Sequence, residues 1–223
     1  MARIARVVAH GLPHHIIQRG NRRQHVFFND GDYREYLRLL AAYTQRFRVD
    51  ILAYCLMPNH VHLIAIPRED GDLARAIGET HRNYTRFINF RENWRGYLWQ
   101  GRFSSYVLDE RYLLAATRYV LLNPVRAKLA ENPWDYRWSS AKHHLRVNIS
   151  SLVNDNYLQE LIKNWKDVLA APLDGEDVNL IQLHERTGRP LGDSSFIEGL
   201  ESSLHRDIKK KRAGRKKIGK SAK

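Results

Sequence analysis

The close spacing of two apolar runs, residues 50–56 and 60–66, is the feature of this sequence that most restricts its fold. Only Met57, Pro58 and Asn59 separate the runs, and a connection this short joins neighbouring strands that run antiparallel. The two runs are therefore expected to form an antiparallel hairpin.

Strand and helix patterns alternate on both sides of the hairpin. Strands are predicted at residues 14–18 and 103–108, and helices at residues 32–46 and 72–91, where apolar side chains recur at helical spacing. The resulting order, β-α-β-β-α-β, predicts an α+β fold of the ferredoxin-like type. In that fold four antiparallel strands form one sheet, and both helices cover the same face.

One more helix is predicted at residues 110–123, where Pro124 interrupts the backbone hydrogen bonding. It follows a complete sheet, so we expect it to cover the open face or the edge. Beyond residue 132 the patterns weaken, and short helices are expected at residues 156–170, 178–187 and 196–204. We expect a first domain over residues 1–145, a helical extension over residues 146–205, and a basic, disordered tail over residues 206–223.

Positive charge is concentrated in that tail. The chain has 37 Lys and Arg against 24 Asp and Glu, and residues 206–223 hold ten of the basic and one of the acidic residues. The remainder, with 27 basic and 23 acidic residues, is only mildly basic. Such a tail indicates binding to a polyanion, with nucleic acid the first interpretation and an anionic membrane the second. A purely solubilising tail is the alternative.

Other bulk features indicate a cytoplasmic protein without a membrane anchor. The single cysteine, Cys55, lies in an apolar run and is interpreted as a core residue, and no intramolecular disulfide is possible. No run approaches the roughly 18 apolar residues of a membrane span, and the N-terminus has no apolar core of signal-peptide length. Nothing in the sequence requires a protein partner, so a monomer suffices.

Two histidines form the first candidate site. His60 and His62 lie two residues apart on a predicted strand, so both imidazoles project from the same face. Neutral imidazoles this close can form half of a metal site, with a third ligand from another element. The alternative is ordinary polar surface.

A candidate nucleophile lies on the predicted helix 110–123. Tyr119 and Asn123 are four residues apart and share a helix face, so the Asn123 carbonyl could complete a metal site beside the Tyr119 phenol. A metal-polarised phosphate attacked by a phenol oxygen is coherent chemistry. Core packing is the alternative for any tyrosine on such a helix, and Tyr112 lies on the same face.

Taken together, six segments of the chain resemble the REP-associated tyrosine transposases of the single-tyrosine HUH superfamily, in the same order. They are residues 11–28, 57–64, 98–109, 118–129, 134–140 and 185–201. The resemblance implies a metal held by His60 and His62, with Asn123 as the suspected third ligand, and Tyr119 as the nucleophile. It implies a bacterial enzyme that uses Mg²⁺ or Mn²⁺ to cleave and rejoin single-stranded DNA at palindromic hairpin repeats, through a 5′-phosphotyrosine intermediate.

Basic, amide and aromatic side chains suited to nucleic acid occur around these segments. Arginine and amide groups can form paired hydrogen bonds to phosphates or bases, and aromatic rings stack on unpaired bases. The predicted DNA-binding residues are Gln18, Arg19, Asn21, Arg22, Arg23, Trp99, Gln100, Arg102 and Arg126.

Two non-catalytic functions compete with this hypothesis. A ferredoxin-like sheet is also the platform of RRM domains that bind single-stranded RNA, although the strands here carry histidines and lack an RNP-type aromatic octamer. A domesticated protein that binds hairpins without cutting them is the second competitor.

Overall fold

The computed structural model describes residues 4–209, which contain one four-stranded antiparallel sheet. Its strands are β1 (His14–Arg19), β2 (Val49–Met57), β3 (His60–Pro67) and β4 (Ser104–Val107). Their spatial order is β2-β3-β1-β4, and every neighbouring pair is antiparallel. This order confirms the ferredoxin-like α+β prediction, including the hairpin of β2 and β3.

Two long helices, α1 (Asp30–Arg46) and α2 (Asp72–Arg91), cover one face of the sheet, as predicted. Helix α1 begins two residues earlier than expected because Asn29 caps it, in a reciprocal capping box with Asp32. The buried Asp32 carboxylate also pairs with Arg91 near the end of α2, which ties the two helices together.

The opposite face is covered by α3 (Glu110–Leu121), whose Leu113, Ala116 and Val120 belong to a second apolar cluster. The predicted helix 110–123 was too long. A separate turn, α4 (Asn123–Arg126), begins at Asn123, since Pro124 fits the first turn of a helix, where no N–H partner is needed. Asn123 therefore starts a new helix instead of continuing the face that Tyr119 occupies.

A short helix, α5 (Ala141–His144), precedes the helical extension, whose helices are α6 (Asn156–Leu161), α7 (Trp165–Ala170), α8 (Gly175–Thr187) and α9 (Ser194–Leu204). Helices α5 to α8 pack in the same apolar cluster as α3, whereas α9 packs in a third cluster with Val107 of β4. The helix predicted at residues 156–170 is two helices, because Ile162 is extended and Asn164 caps α7 with its side chain. Helix α8 packs against α3 and β4, and this places the extension beside the histidines of β3.

The first residues of the predicted disordered tail are ordered. The Arg206 guanidinium donates hydrogen bonds to the carbonyl oxygens of Ala5 and Arg6, and Ile208 is buried. The rest of that segment, residues 210–223, lies outside the described residues. Cys55 is fully buried, as predicted.

None of the helices between residues 4 and 209 has the length and apolar character needed to cross a bilayer.

Candidate active site

The strand register brings the two histidines of β3 to the face that α3 covers. Arg19 pairs with His60 and Ile17 pairs with His62, and paired residues of neighbouring strands project to the same side. The imidazole rings of His60 and His62 have centroids 4.9 Å apart. Both side chains are nearly buried, so the alternation of β3 produces a recessed pair and not an exposed polar surface.

Hydrogen bonds orient both rings in the same way. The Asn59 side-chain amide donates to the backbone oxygen of Arg23, which directs its Oδ1 toward Nδ1 of His60 at 2.6 Å. That Nδ1 therefore donates. Nδ1 of His62 lies 2.9 Å from Nε2 of His15, and when it donates there its own Nε2 keeps a free lone pair. A ring nitrogen held by an outer partner in this manner is how proteins fix the tautomer of a metal-binding histidine.

His15 and Tyr106 extend this network, and the sequence reasoning did not identify either of them. Nδ1 of His15 lies 2.7 Å from the Tyr106 hydroxyl. The signal was present in the sequence, because strand alternation places His15 on the same face as Ile17 and Arg19. In the tautomer that leaves Nε2 of His62 free, His15 donates to Tyr106 and accepts from His62.

Burial keeps these imidazoles neutral. It lowers the pKa of His15 to about 3 and, together with the nearby Arg19 charge, that of His60 to about 3. The pKa of His62 is well below its usual value, first because of burial and then because of the neighbouring His60 and His15. Neutral rings have the lone pairs that a metal ion requires.

Tyr119 of α3 lies directly beside this histidine group. Its ring centroid is 5.9 Å from that of His62 and 6.1 Å from that of His15. The Arg126 guanidinium is 4.4 Å from the centre of the ring, and Arg126 and Gln182 act to lower the pKa of the phenol. Burial raises the pKa of Tyr119, so the phenol is protonated at neutral pH and needs a proton acceptor to act as a nucleophile.

Tyr112, the other tyrosine considered on this helix, has different surroundings. It is half-buried, with the Arg111 guanidinium 5.1 Å from its ring centre. Within the described residues, no ring contact joins Tyr112 to a histidine. Helical periodicity placed both tyrosines on one face, but in the structure only Tyr119 lies beside the histidines.

Glu185 of α8 is the main site residue that sequence reasoning missed. Its Oε1 lies 3.9 Å from Nδ1 of His62 and has no hydrogen-bond partner, although it is buried. Potential ligand atoms of His15, His62 and Glu185 all lie within 4.8 Å of one another. Burial raises the pKa of the Glu185 carboxyl to about 7, while Arg19 and the Tyr119 phenol act in the opposite direction. The only sequence signal was that Glu185 opens the last of the six resembling segments.

Asn123, the suspected third ligand, is buried but is not hydrogen-bonded to the histidines within the described residues. Its side chain is buried and its amide nitrogen has no hydrogen-bond partner. Within residues 4–209, no hydrogen bond joins Asn123 to His60 or His62.

Of the predicted DNA-binding residues, Arg19 and Arg126 reach the site. Arg19 projects on the same side as His60 and influences the pKa of both histidines. Arg22 and Arg23 are exposed in a short turn that follows β1, and both have left-handed backbone angles, with φ of 52° and 61°.

Gln18 and Trp99 are not part of this site, which corrects their expected position around the catalytic group. Gln18 precedes Arg19 on β1, so alternation turns it to the other face, where its amide donates to the Gly101 carbonyl. Trp99 is buried in the core of that face. With the exposed Arg102 they line a separate cavity of about 380 Å³, while Gln100 is exposed nearby.

Comparisons with known proteins agree with the fold and with the resemblance. A curated protein of Haemophilus influenzae, named as a putative REP-associated tyrosine transposase, is 27% identical to this chain over 116 residues. The aligned region covers 47% of this chain and 66% of the relative, so the chain spans just under two thirds of the relative's length. The solved structure of a REP-associated tyrosine transposase bound to a REP hairpin has a TM-score of 0.57 at 18% identity. The match covers 69% of this chain and 98% of that one, and supports the fold.

The match to a family model extends over the elements that build the site. The model describes IS200-like transposases and matches residues 8–122, more than half of the 223 residues, from before β1 to the end of α3. His15, His60, His62 and Tyr119 fall inside the matched region, and Glu185 falls outside it. With the sheet, the recessed histidine pair and this match in agreement, the chain belongs to the IS200-like transposase family.

Proposed function

We propose that this protein cleaves single-stranded DNA beside a hairpin repeat and transfers the cut end, using Tyr119 as the nucleophile. The observation that carries the proposal is the position of Tyr119, whose buried ring lies 5.9 Å from that of His62 and whose phenol is next to Glu185. A buried phenol beside neutral imidazoles and a carboxylate is suited to attack on phosphorus.

In the proposed step one phosphorus–oxygen bond forms and one breaks. The Tyr119 phenol oxygen forms a bond to a backbone phosphorus, and the bond from that phosphorus to the 3′ oxygen of the preceding nucleotide breaks. The phenol proton passes to an acceptor, for which Glu185 is the nearest carboxylate, and the departing 3′ oxygen gains a proton. Attack by another 3′ hydroxyl on the phosphotyrosine reverses the step and joins new ends without an external energy source.

The residues present fit a divalent cation. His60 and His62 each have Nδ1 occupied by an outer partner and Nε2 available. When bound, Mg²⁺ or Mn²⁺ would polarise the scissile phosphate. For the third ligand we favour Glu185 over Asn123, because its buried Oε1 lacks a hydrogen-bond partner; that oxygen lies 3.9 Å from Nδ1 of His62, so the carboxylate has to turn toward Nε2 to join the two histidines. Asn123 is the second candidate.

The proposed substrate is hairpin DNA with a single-stranded flank. The solved relative binds a REP hairpin, and Arg19 and Arg126 place positive charge close to His62 in this chain, with Arg126 also beside the Tyr119 ring. Arg22 and Arg23 offer two exposed cations close to the same end of β1. These four side chains are suited to hold backbone phosphates near Tyr119.

A binding protein without cleavage is the alternative function. Incubation of the protein with single-stranded DNA that carries a palindromic repeat and its flanks, with and without Mn²⁺, separates the two on a denaturing gel. Metal-dependent shortened DNA together with a covalent protein–DNA band supports the proposal. Retarded DNA on a native gel, with no cut product under any metal condition, would leave the protein as a hairpin binder.

Replacement of Glu185 by Gln is expected to weaken Mn²⁺ binding by at least about tenfold, because an amide cannot supply the charge of a carboxylate ligand. Calorimetry or EPR titration measures this affinity without any cleavage. Glu176→Gln, an exposed glutamate of the same helix, is the matched control and should bind as the wild type does. If Asn123→Ala loses affinity and Glu185→Gln does not, Asn123 is the third ligand.

Removal of residues 210–223 is expected to reduce the salt dependence of DNA binding. The segment carries eight Lys and Arg and no acidic residue. For each DNA phosphate that the truncated chain no longer neutralises, the log–log salt slope should fall by about 0.7 on single strands or about 0.9 on duplex DNA. Anisotropy titrations at several salt concentrations measure the slope, and equal slopes for the full and truncated chains would mean that the segment does not contact DNA.

A further inference from the structure

A second basic site lies where the helical extension meets α5, away from His60 and His62. It is a cavity of about 510 Å³ between α5 and α7, which we call the extension pocket. Its wall includes four cationic side chains, Lys142, Arg146, Lys163 and Lys166, and contains no aspartate or glutamate. Of the four, only Arg146 has an acidic partner within the described residues, namely Asp155 at 3.6 Å. A concave wall with this balance of charge is suited to an anion.

Aromatic groups in the same wall provide a second kind of interaction. The Trp165 side chain is 4% exposed, and its indole Nε1 has no hydrogen-bond partner. Trp165 also stacks on His144, with centroids 4.3 Å apart, so its ring is fixed in place and that face is not open to a base. Trp134, which is only half-buried, also lines the pocket and is the indole available for stacking. Lysines combined with indole rings form the usual surface for single-stranded nucleic acid, where phosphates bind the cations and bases stack on the rings.

The extension pocket shares one wall residue with a second cavity that lies closer to Tyr119. Trp134 also lines a neighbouring cavity of about 500 Å³, whose wall includes Leu122 and Arg126. Arg126 in turn covers the Tyr119 ring. Arg126, which contacts Tyr119, and the cations of the extension pocket therefore line two cavities that meet at Trp134.

We propose that the extension pocket binds the single-stranded DNA flank that continues from the strand held at Tyr119. The inference rests on the proposed function for the identity of the ligand, and gives the helical extension a role in holding DNA. The chemistry recognised is the phosphodiester backbone together with an unpaired base. A free phosphate ion shares part of that chemistry, and competition by phosphate separates the two.

The test compares hairpin DNA with and without single-stranded extensions, by fluorescence anisotropy in the absence of divalent metal. Wild-type protein is expected to bind the extended DNA more tightly and with a steeper salt slope. Lys163→Gln/Lys166→Gln should remove this gain and lower the slope for the extended DNA by about 1.4, which is about 0.7 for each of the two neutralised lysines. Lys163→Arg/Lys166→Arg keeps the charge and should retain the gain.

Arg38→Gln/Arg48→Gln is the matched control, since it removes two exposed charges from α1 and the residues that follow it, on the other face of the sheet. It should bind extended DNA as the wild type does. The inference is overturned if the lysine double variant keeps both the gain and the slope. Phosphate, replacing chloride at equal ionic strength, should reduce the gain only in part because it has no base to stack; complete loss of the gain would overturn the inference and assign the pocket to a free anion.

Failure of this inference is distinguishable from failure of the proposed function. The binding test needs no cleavage, so a protein that never cuts DNA could still show the gain from the extensions. If the protein cuts DNA but the lysine double variant binds extended DNA as the wild type does, the proposed function stands and only the role of the extension pocket is rejected.

Discussion

Tyr119→Phe is expected to abolish the covalent protein–DNA product while fold and DNA affinity remain close to those of the wild type. The substitution removes one oxygen from a side chain that is 5% exposed. The ring keeps its packing against His62 and the Arg126 guanidinium, so the local structure is preserved. No phenylalanine atom can form the phosphate ester, and the loss should therefore be complete and not partial.

Tyr112→Phe provides the control because it makes the same chemical change on the same helix, two turns earlier. Its ring lies against Arg111, away from the histidines. Wild type, Tyr119→Phe and Tyr112→Phe are incubated with hairpin DNA and Mn²⁺, and adducts that resist denaturant are separated on a gel. The adduct should be missing only for Tyr119→Phe, and its persistence in that variant would mean that another residue is the nucleophile.

The fold was predictable because each of its elements has a local signal. Only Pro58 and Asn59 separate β2 from β3, which leaves the antiparallel hairpin as the only reasonable connection. Local signals were weaker at the end of α3, where Pro124 permits a new helical turn as readily as it ends an old one. The prediction of one helix at residues 156–170 failed for a similar reason, since a side-chain cap at Asn164 divides an otherwise helical stretch.

The site was only partly predictable, because its members come from elements far apart in the chain. The spacing of His60 and His62 places them on one strand face from sequence alone. Glu185 reaches them only because α8 of the extension packs against α3 and β4, and no local pattern predicts that packing. Gln18 was wrongly expected near the site. Its amide side chain suggested DNA binding, but its position on β1 directs it to the opposite face of the sheet.

His60→Ala and His62→Ala are each expected to weaken Mn²⁺ binding by more than about 100-fold and to remove metal-dependent cleavage. Both rings have their Nδ1 atoms held by outer partners, so each variant removes an oriented Nε2 that no neighbouring group replaces. Loss of an outer partner typically costs about 10–100-fold in metal affinity, and loss of a ligand should exceed that. His25→Ala, which removes an exposed histidine elsewhere on the surface, is the control for nonspecific binding.

His15 provides a further test of the site, because in the tautomer that leaves Nε2 of His62 free it orients His62 and is not itself a ligand. His15→Phe removes the acceptor that fixes Nδ1 of His62, yet leaves Nε2 of His62 in place, so its affinity for Mn²⁺ should fall by about 10–100-fold, less than for either alanine variant. Titration of all four variants by EPR, after thermal unfolding has confirmed that each is folded, gives the order. A different order is expected if the ion is held by His15, His62 and Glu185, whose ligand atoms lie within 4.8 Å of one another. In that case His15→Phe loses as much affinity as His62→Ala, and His60→Ala binds Mn²⁺ as the wild type does. His60 would then have another function.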